Sequence, residues 1–135
     1  MALQFSTTVR NAWLDTFEST ISTSAVLKIR TGTQPATCAT ADSGTVLASM
    51  SLPSDWMAAA SSGSKAKSGT WNDTSADATG TAAHFRLYAS DGTTCHAQGT
   101  VTATGGGGDL TLDSVSLTAT QTVTITGFTI SAPGA

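Results

Sequence analysis

The sequence predicts a mainly β protein: an antiparallel β-sandwich or jelly-roll of about seven or eight strands, with one N-terminal amphipathic helix. Ser and Thr make up 43 of the 135 residues, and 26 of them are Thr, a β-branched residue that suits a sheet surface better than a long helix. Short segments alternate apolar and polar residues, and turn residues separate them about every eight to twelve positions. Helical periodicity occurs in a single segment near the N-terminus.

The length fits one domain, residues 1–135. Its core is expected to be thin, because Leu, Ile, Val and Phe together make only about 17% of the chain and 21 of the hydrophobic residues are Ala. A disordered chain would combine such a composition with high net charge, whereas the net charge here is −3 and charged residues make up 11%. We therefore expect a folded domain.

The helix is predicted over about residues 6–21, with Ser6 or Thr7 capping its first turn. Its apolar stripe is Val9, Ala12, Trp13, Phe17 and Ile21, with Leu14 to one side. The opposite face, predicted to lie in solvent, carries Arg10, Asn11, Asp15, Glu18 and Ser19. A helix of about four turns is marginal alone, so Trp13 and Phe17 are predicted to anchor it on a sheet.

Strands are predicted from about residue 25 to residue 131. The segments are 27–30, with Lys28 and Arg30 on a solvent-exposed face, then 46–50, 65–71, 79–89, 94–102, 110–119 and 123–130. Asp91-Gly92 predicts a hairpin, and the four glycines at 105–108 predict another. Gly127 is typical of a β-bulge in the last strand.

Charge and hydropathy exclude two kinds of partner. Six scattered Lys and Arg form no basic patch, so we expect no nucleic-acid binding. The stretches without charge are rich in Thr, Ser and Gly, so we expect no membrane span. The first residues lack a basic region followed by an apolar run, which predicts no secretory signal.

Catalytic and metal-binding patterns are missing as well. Cys95 and His96 are neighbours in a predicted strand and point to opposite faces, so they do not readily share a metal. Glu18 is the only glutamate, and no Gly-x-Ser-x-Gly motif occurs. We therefore expect no enzyme, no cofactor and no metal site.

Cys38 and Cys95 leave two alternatives open. A bridge between them would close a loop of about 57 residues and stabilise the fold by roughly 4 kcal/mol. Free thiols are the expectation for a protein made in a reducing cytosol.

Trp56 and Trp71 lie next to predicted turns, where a large aromatic side chain is either an interface anchor or a lid over the open end of the sandwich. With Trp13, Phe17 and Tyr88 they are the residues we predict at an interface. A stacking platform for sugars would use Trp56, Trp71 and Tyr88.

The chain resembles a family of small virion structural proteins encoded by tailed bacteriophages. The resembling segments are 5–15 (FSTTVRNAWLD), 27–36 (LKIRTGTQPA), 76–87 (ADATGTAAHFRL) and 123–130 (VTITGFTI). They span nearly the whole chain, and none of them is catalytic. Neither cysteine belongs to the family's pattern.

The resemblance implies a capsid decoration (cement) protein, made in the host cytoplasm and located on the capsid surface of the virion. Its implied partner is the major capsid protein, and its implied state is a homo-oligomer. Expected contact regions are the helix end, the Trp56 turn and loops 31–44 and 105–109. The alternatives are a tail or head–tail component and a carbohydrate-binding host-adhesion module.

Overall fold

The structure, a computed structural model, describes residues 3–135. It confirms a mainly β fold with one helix near the N-terminus. The elements are α1 (Thr7–Ile21), β1 (Val26–Arg30), β2 (Val46–Ser51), β3 (Ser64–Ala66), β4 (Asn72–Asp73), β5 (Gly80–Thr81), β6 (His84–Tyr88), β7 (Cys95–Ala103), β8 (Leu110–Leu112), β9 (Ser116–Leu117) and β10 (Val123–Ser131).

One curled sheet forms most of the molecule. Its strand order is β2-β1-β6-β7-β8-β10-β3, with β4 also paired to β10, while β5 and β9 form a separate pair. The curl brings β4 back to β2, where the amide of Ser49 donates to the Asp73 carboxylate at 3.0 Å and the amide of Asp77 donates to the Leu47 carbonyl at 2.7 Å. The fold is therefore sandwich-like, with its core inside the curl.

Five aromatic rings form the centre of the core. Trp56 lies 5.9 Å from Trp71, ring centroid to centroid, and Trp71 lies 5.5 Å from Phe128. Phe85 packs edge-on against Phe128 at 5.7 Å, and Phe17 packs edge-on against Trp56 at 5.7 Å. These rings supply volume that the scarce Leu, Ile and Val residues do not.

The helix buries only the C-terminal part of its predicted apolar stripe. Ser6 is its N-cap and accepts from the amide of Val9, as expected. Leu14 and Ile21 are its buried residues, and Phe17 packs against the core as predicted. Trp13, however, is 46% exposed, so the prediction that it anchors the helix on the sheet is wrong.

Polar side chains dock the helix instead. Asn11 accepts from the amide of Gly63 at 2.9 Å, and Asp15 accepts from the amide of Ala60 at 3.1 Å. Glu18 accepts from the amide of Met57 at 3.1 Å. Backbone N–H groups need a partner when they leave solvent, and the carboxylates and amide of α1 provide it. Part of the predicted solvent face therefore lies against the protein, while Ser19 stays exposed.

The loop with four glycines at 105–108 does not form the predicted hairpin. β7 and β8 are parallel, and they are the one parallel pair among the described strands, so the sheet is mixed rather than antiparallel throughout. Gly105 and Gly107 have φ values of 87° and 81°, and the Asp109 carboxylate accepts from the amide of Thr100 at 2.9 Å. The two glycines with positive φ and the hydrogen bond between Thr100 and Asp109 return the chain to the edge of β7. β8 therefore runs in the same direction as β7.

The other turn predictions are confirmed. β6 and β7 form the hairpin expected at Asp91-Gly92, and the ladder between β10 and β8 slips between Ile125 and Gly127, where a bulge was expected. Three predicted strands are shorter than expected: segment 65–71 retains only β3, which ends at Ala66, segment 79–89 divides into β5 and β6, and segment 110–119 divides into β8 and β9. β4 lies between the predicted segments 65–71 and 79–89, where no strand was predicted.

Candidate functional site

Exposed apolar side chains gather at the start of the chain. Among residues 3–135 the large hydrophobic side chains that are exposed are Leu3 (61%), Val9 (40%) and Trp13 (46%). Phe5 packs edge-on against Trp13 with ring centroids 4.7 Å apart. Val9 and Trp13 are four residues apart and share one helix face. We call these four residues the N-terminal patch.

The other end of the chain holds this patch in place. The amide of Phe5 donates to the Gly134 carbonyl at 2.8 Å, and the Arg10 guanidinium donates twice to the Ala132 carbonyl, at 3.0 and 3.2 Å. Gly134 has φ 83°, and a Cβ there would lie 2.5 Å from the Phe5 ring. Only glycine fits so close to the ring, so Gly134 lets the C-terminal segment pack directly on Phe5.

Trp56, Trp71 and Tyr88 lie in the interior. Trp56 and Tyr88 are 0% exposed and Trp71 is 1% exposed. The indole N–H of Trp56 donates to the Ser22 carbonyl at 3.1 Å, and that of Trp71 donates to the Ser68 carbonyl at 3.0 Å. The expectation that these three side chains form an interface or a stacking platform on the surface is thus corrected. In a chain poor in Leu, Ile and Val they are needed for the core.

A charge cluster with two buried arginines lies on the outer face of β6. Asp42 accepts from Arg30 at 2.7 Å, from Arg86 at 2.5 Å and from the Tyr88 hydroxyl at 2.8 Å. The Arg30 and Arg86 side chains are 7% and 1% exposed. We call Arg30, Asp42, Arg86 and Tyr88 the loop cluster, because Asp42 belongs to the loop between β1 and β2 (residues 31–45), which covers this face.

The loop cluster positions this loop rather than a substrate. Arg86 also donates to the carbonyls of Thr40 and Cys38, at 3.0 and 2.8 Å, and the His84 ring bonds the Gly32 carbonyl at 2.9 Å. Burial raises the pKa of Tyr88 to about 12, and its hydrogen bond to Asp42 acts in the same direction. The predicted solvent face of β1, with Arg30, is therefore covered by the loop.

A cleft of about 500 Å³ runs beside the C-terminal half of α1. Lys65, whose side chain is 2% exposed, donates there to Asp15 at 2.7 Å and to Glu18 at 3.0 Å. The lysine charge balances one of the two carboxylates, and both carboxylates also accept from backbone amides. The cleft therefore fits a docking joint between α1 and β3 better than a catalytic centre.

Neither metal chemistry nor a membrane span is indicated in the part of the chain that the structure describes. Residues 3–135 contain no group of three or more His, Cys, Asp or Glu side chains placed to hold a metal ion. No helix among them is long and apolar enough to cross a bilayer.

Sequence reasoning missed Leu3, Phe5 and the loop cluster. Leu3 and Phe5 precede the helix and carry no periodicity, and Arg86 alternates with Phe85 and Leu87 as a solvent-exposed residue would. One signal in the sequence pointed to the patch. Val9 and Trp13 share a helix face, so a helix that packs on the sheet through another face exposes both side chains.

Comparison of the chain with protein-family models, curated proteins and solved structures finds no match. The fold and the exposed surface therefore carry the functional argument, together with the resemblance in the sequence.

Proposed function

We propose that the protein is a structural component of a tailed-bacteriophage virion, namely a decoration (cement) protein on the outer surface of the head. Its proposed partner is the major capsid protein, and its proposed state on the capsid surface is a homo-oligomer. The resemblance of segments 5–15, 27–36, 76–87 and 123–130 to small virion structural proteins is the first support.

The N-terminal patch is the observation that carries the proposal. The chain has few bulky apolar residues, yet Leu3, Val9 and Trp13 are exposed together. Exposed apolar surface of this kind marks an interaction site, and an exposed Trp within it is a typical binding hot spot. Because the patch is already held by the C-terminal residues, little ordering is needed on binding.

Burial of Trp56, Trp71 and Tyr88 weighs against the host-adhesion alternative. Sugar stacking needs an exposed ring face, and Trp13 is the one Trp of the chain's three that offers it. A tail or head–tail component would use the same patch for a different partner. The location of the protein on the particle separates these alternatives.

A binding assay with the phage's own heads tests the proposal. Heads prepared without this protein are mixed with the wild-type chain, with Trp13→Ala and with Ser19→Ala, and the bound fraction is measured after sedimentation. Ser19 is exposed on another side of α1 and serves as the matched control. Loss of a Trp hot spot costs about 2 kcal/mol or more, so Trp13→Ala should bind about 30-fold more weakly.

Ser19→Ala should bind as the wild type does. The proposal fails if the wild-type chain does not bind heads, or if Trp13→Ala binds equally well. Heads that carry the wild-type chain should also survive heating better than bare heads, because ligand binding stabilises the bound state.

A further inference from the structure

The fold brings the two cysteines of the chain to one face of the sheet. Cys95 begins β7, and its partner across the ladder on β6 is Tyr88. The ladder slips by one residue between Leu87 and Tyr88, so Cys95 rather than His96 lies opposite Tyr88. Cross-strand partners point to the same face, and Cys95 therefore shares a face with Tyr88 and Arg86. This is the face that loop 31–45 covers, and Cys38 belongs to that loop.

Arg86 fixes the backbone around Cys38. Its guanidinium donates to the carbonyl of Cys38 at 2.8 Å and to the carbonyl of Thr37 at 3.3 Å, while it also binds Asp42. Cys38 is thereby held over the face of the sheet that carries Cys95, and both cysteines are half-buried free thiols. The planar, multiply bonded guanidinium leaves this part of the loop little freedom.

The thiols are not strongly activated. Burial raises the pKa of Cys95, the neighbouring Cys38 side chain raises it further, and Arg86 opposes both effects. Because the thiolate is the attacking species, the pair reacts slowly at neutral pH and faster as the pH rises.

We propose that Cys38 and Cys95 form an intramolecular disulfide that fastens loop 31–45 to the β6–β7 hairpin when the chain meets an oxidising disulfide such as oxidised glutathione. One protein thiolate attacks a glutathione sulfur, which forms a mixed disulfide and releases one glutathione thiolate. The second protein thiolate attacks the protein sulfur of that mixed disulfide and releases the other glutathione. Two protein thiols thus lose two electrons and two protons, and one oxidised glutathione becomes two reduced molecules.

The bridge needs no capsid and no partner chain, so it forms in the isolated protein whatever the protein's role. It closes a loop of about 57 residues, which constrains the unfolded chain. The oxidised protein should therefore melt about 10 °C higher than the reduced protein.

Equilibration of the full chain with glutathione tests the proposal. Two samples of the chain, one folded in buffer and one unfolded in concentrated guanidinium, are equilibrated at a series of ratios of reduced to oxidised glutathione. Each sample is then quenched with acid, alkylated and analysed by peptide mass spectrometry. We expect a Cys38–Cys95 link, with an effective thiol concentration at least about tenfold higher in the folded protein than in the unfolded one. Cys38→Ser and Cys95→Ser are the controls, and oxidant should leave their melting temperatures unchanged.

A folded chain that yields only glutathione adducts or intermolecular dimers overturns the proposal. So does an effective concentration that folding raises by less than tenfold. The wild-type measurement alone decides this, so the outcome does not depend on how well either variant folds.

Discussion

Replacing Asp42 by Asn removes the charge that holds loop 31–45 on the sheet. Asp42 is bound by Arg30, Arg86 and Tyr88, and the two arginine side chains are 7% and 1% exposed. Breaking a buried ion pair by removing one partner costs about 3–5 kcal/mol. Asp42 itself is 38% exposed, so water partly replaces it, and we expect a loss of about 2–3 kcal/mol in the free energy of unfolding.

Urea unfolding measures this loss, with Asp113→Asn as the matched control. Asp113 is exposed and accepts from the neighbouring Ser114 amide at 2.9 Å, so its replacement should cost less than about 0.5 kcal/mol. In an Arg86→Met background the cost of Asp42→Asn should fall by about 1 kcal/mol or more. A loss for Asp42→Asn no larger than that for Asp113→Asn would refute this role of Asp42.

Acid provides a reversible form of the same perturbation. Burial opposes ionisation of Asp42, but the hydrogen bond from Tyr88 and the charges of Arg30 and Arg86 outweigh it and hold the pKa of Asp42 below its ordinary value of 3.8. Its contribution is complete above the unfolded pKa and is lost as the pH falls through the lower folded value. The wild type should therefore lose more stability than Asp42→Asn as the pH drops below about 4.

Burial and charge pairing set the cost of three other perturbations. Trp71→Ala should lower the free energy of unfolding by about 3–5 kcal/mol, whereas Trp13→Ala should lower it by less than about 1 kcal/mol in the same urea titration. Equal losses of stability in the two variants would contradict the assigned core. Lys65→Met should cost about 2 kcal/mol, because Glu18 loses its buried cation, and a neutral result by thermal unfolding would show that the cleft charges do not dock the helix. Burial raises the pKa of Tyr88, the chain's one tyrosine, to about 12, so ultraviolet titration of the folded protein should show ionisation near that pH. The protein should lose stability as the pH rises through this value. Ionisation near pH 10 would mean that the loop cluster is open.

Local sequence patterns predicted the elements whose formation depends least on distant parts of the chain. The alternation around Leu27 and Ile29 located β1, Asp91-Gly92 located a hairpin and Ser6 located the start of α1. Each of these depends on the residue's own backbone preferences or on one buried face.

Long-range contacts decided what the sequence did not predict. Trp13 and Leu14 are adjacent on α1, and the choice between them as the buried side chain follows from backbone amides far along the chain at residues 57–63. Arg86 is buried because a loop some 44 positions earlier supplies Asp42. A buried arginine and an exposed one look alike in a pattern of alternating residues.

Composition and structure agree on one further point. With few Leu, Ile and Val residues, the fold uses Trp56 and Trp71 in its core, which removes them from the surface and leaves Trp13 as the exposed one. The candidate binding surface at Trp13 could therefore be identified only after the burial of Trp56 and Trp71 was known.

Cryo-electron microscopy of intact particles of the phage that encodes this chain is the most direct test of the proposed role. A decoration protein predicts density of this fold on the outer surface of the head, at joints between capsid subunits, with the N-terminal patch of Leu3, Phe5, Val9 and Trp13 against the shell. Density on the tail or at the head–tail junction, or particles without this chain, would contradict it.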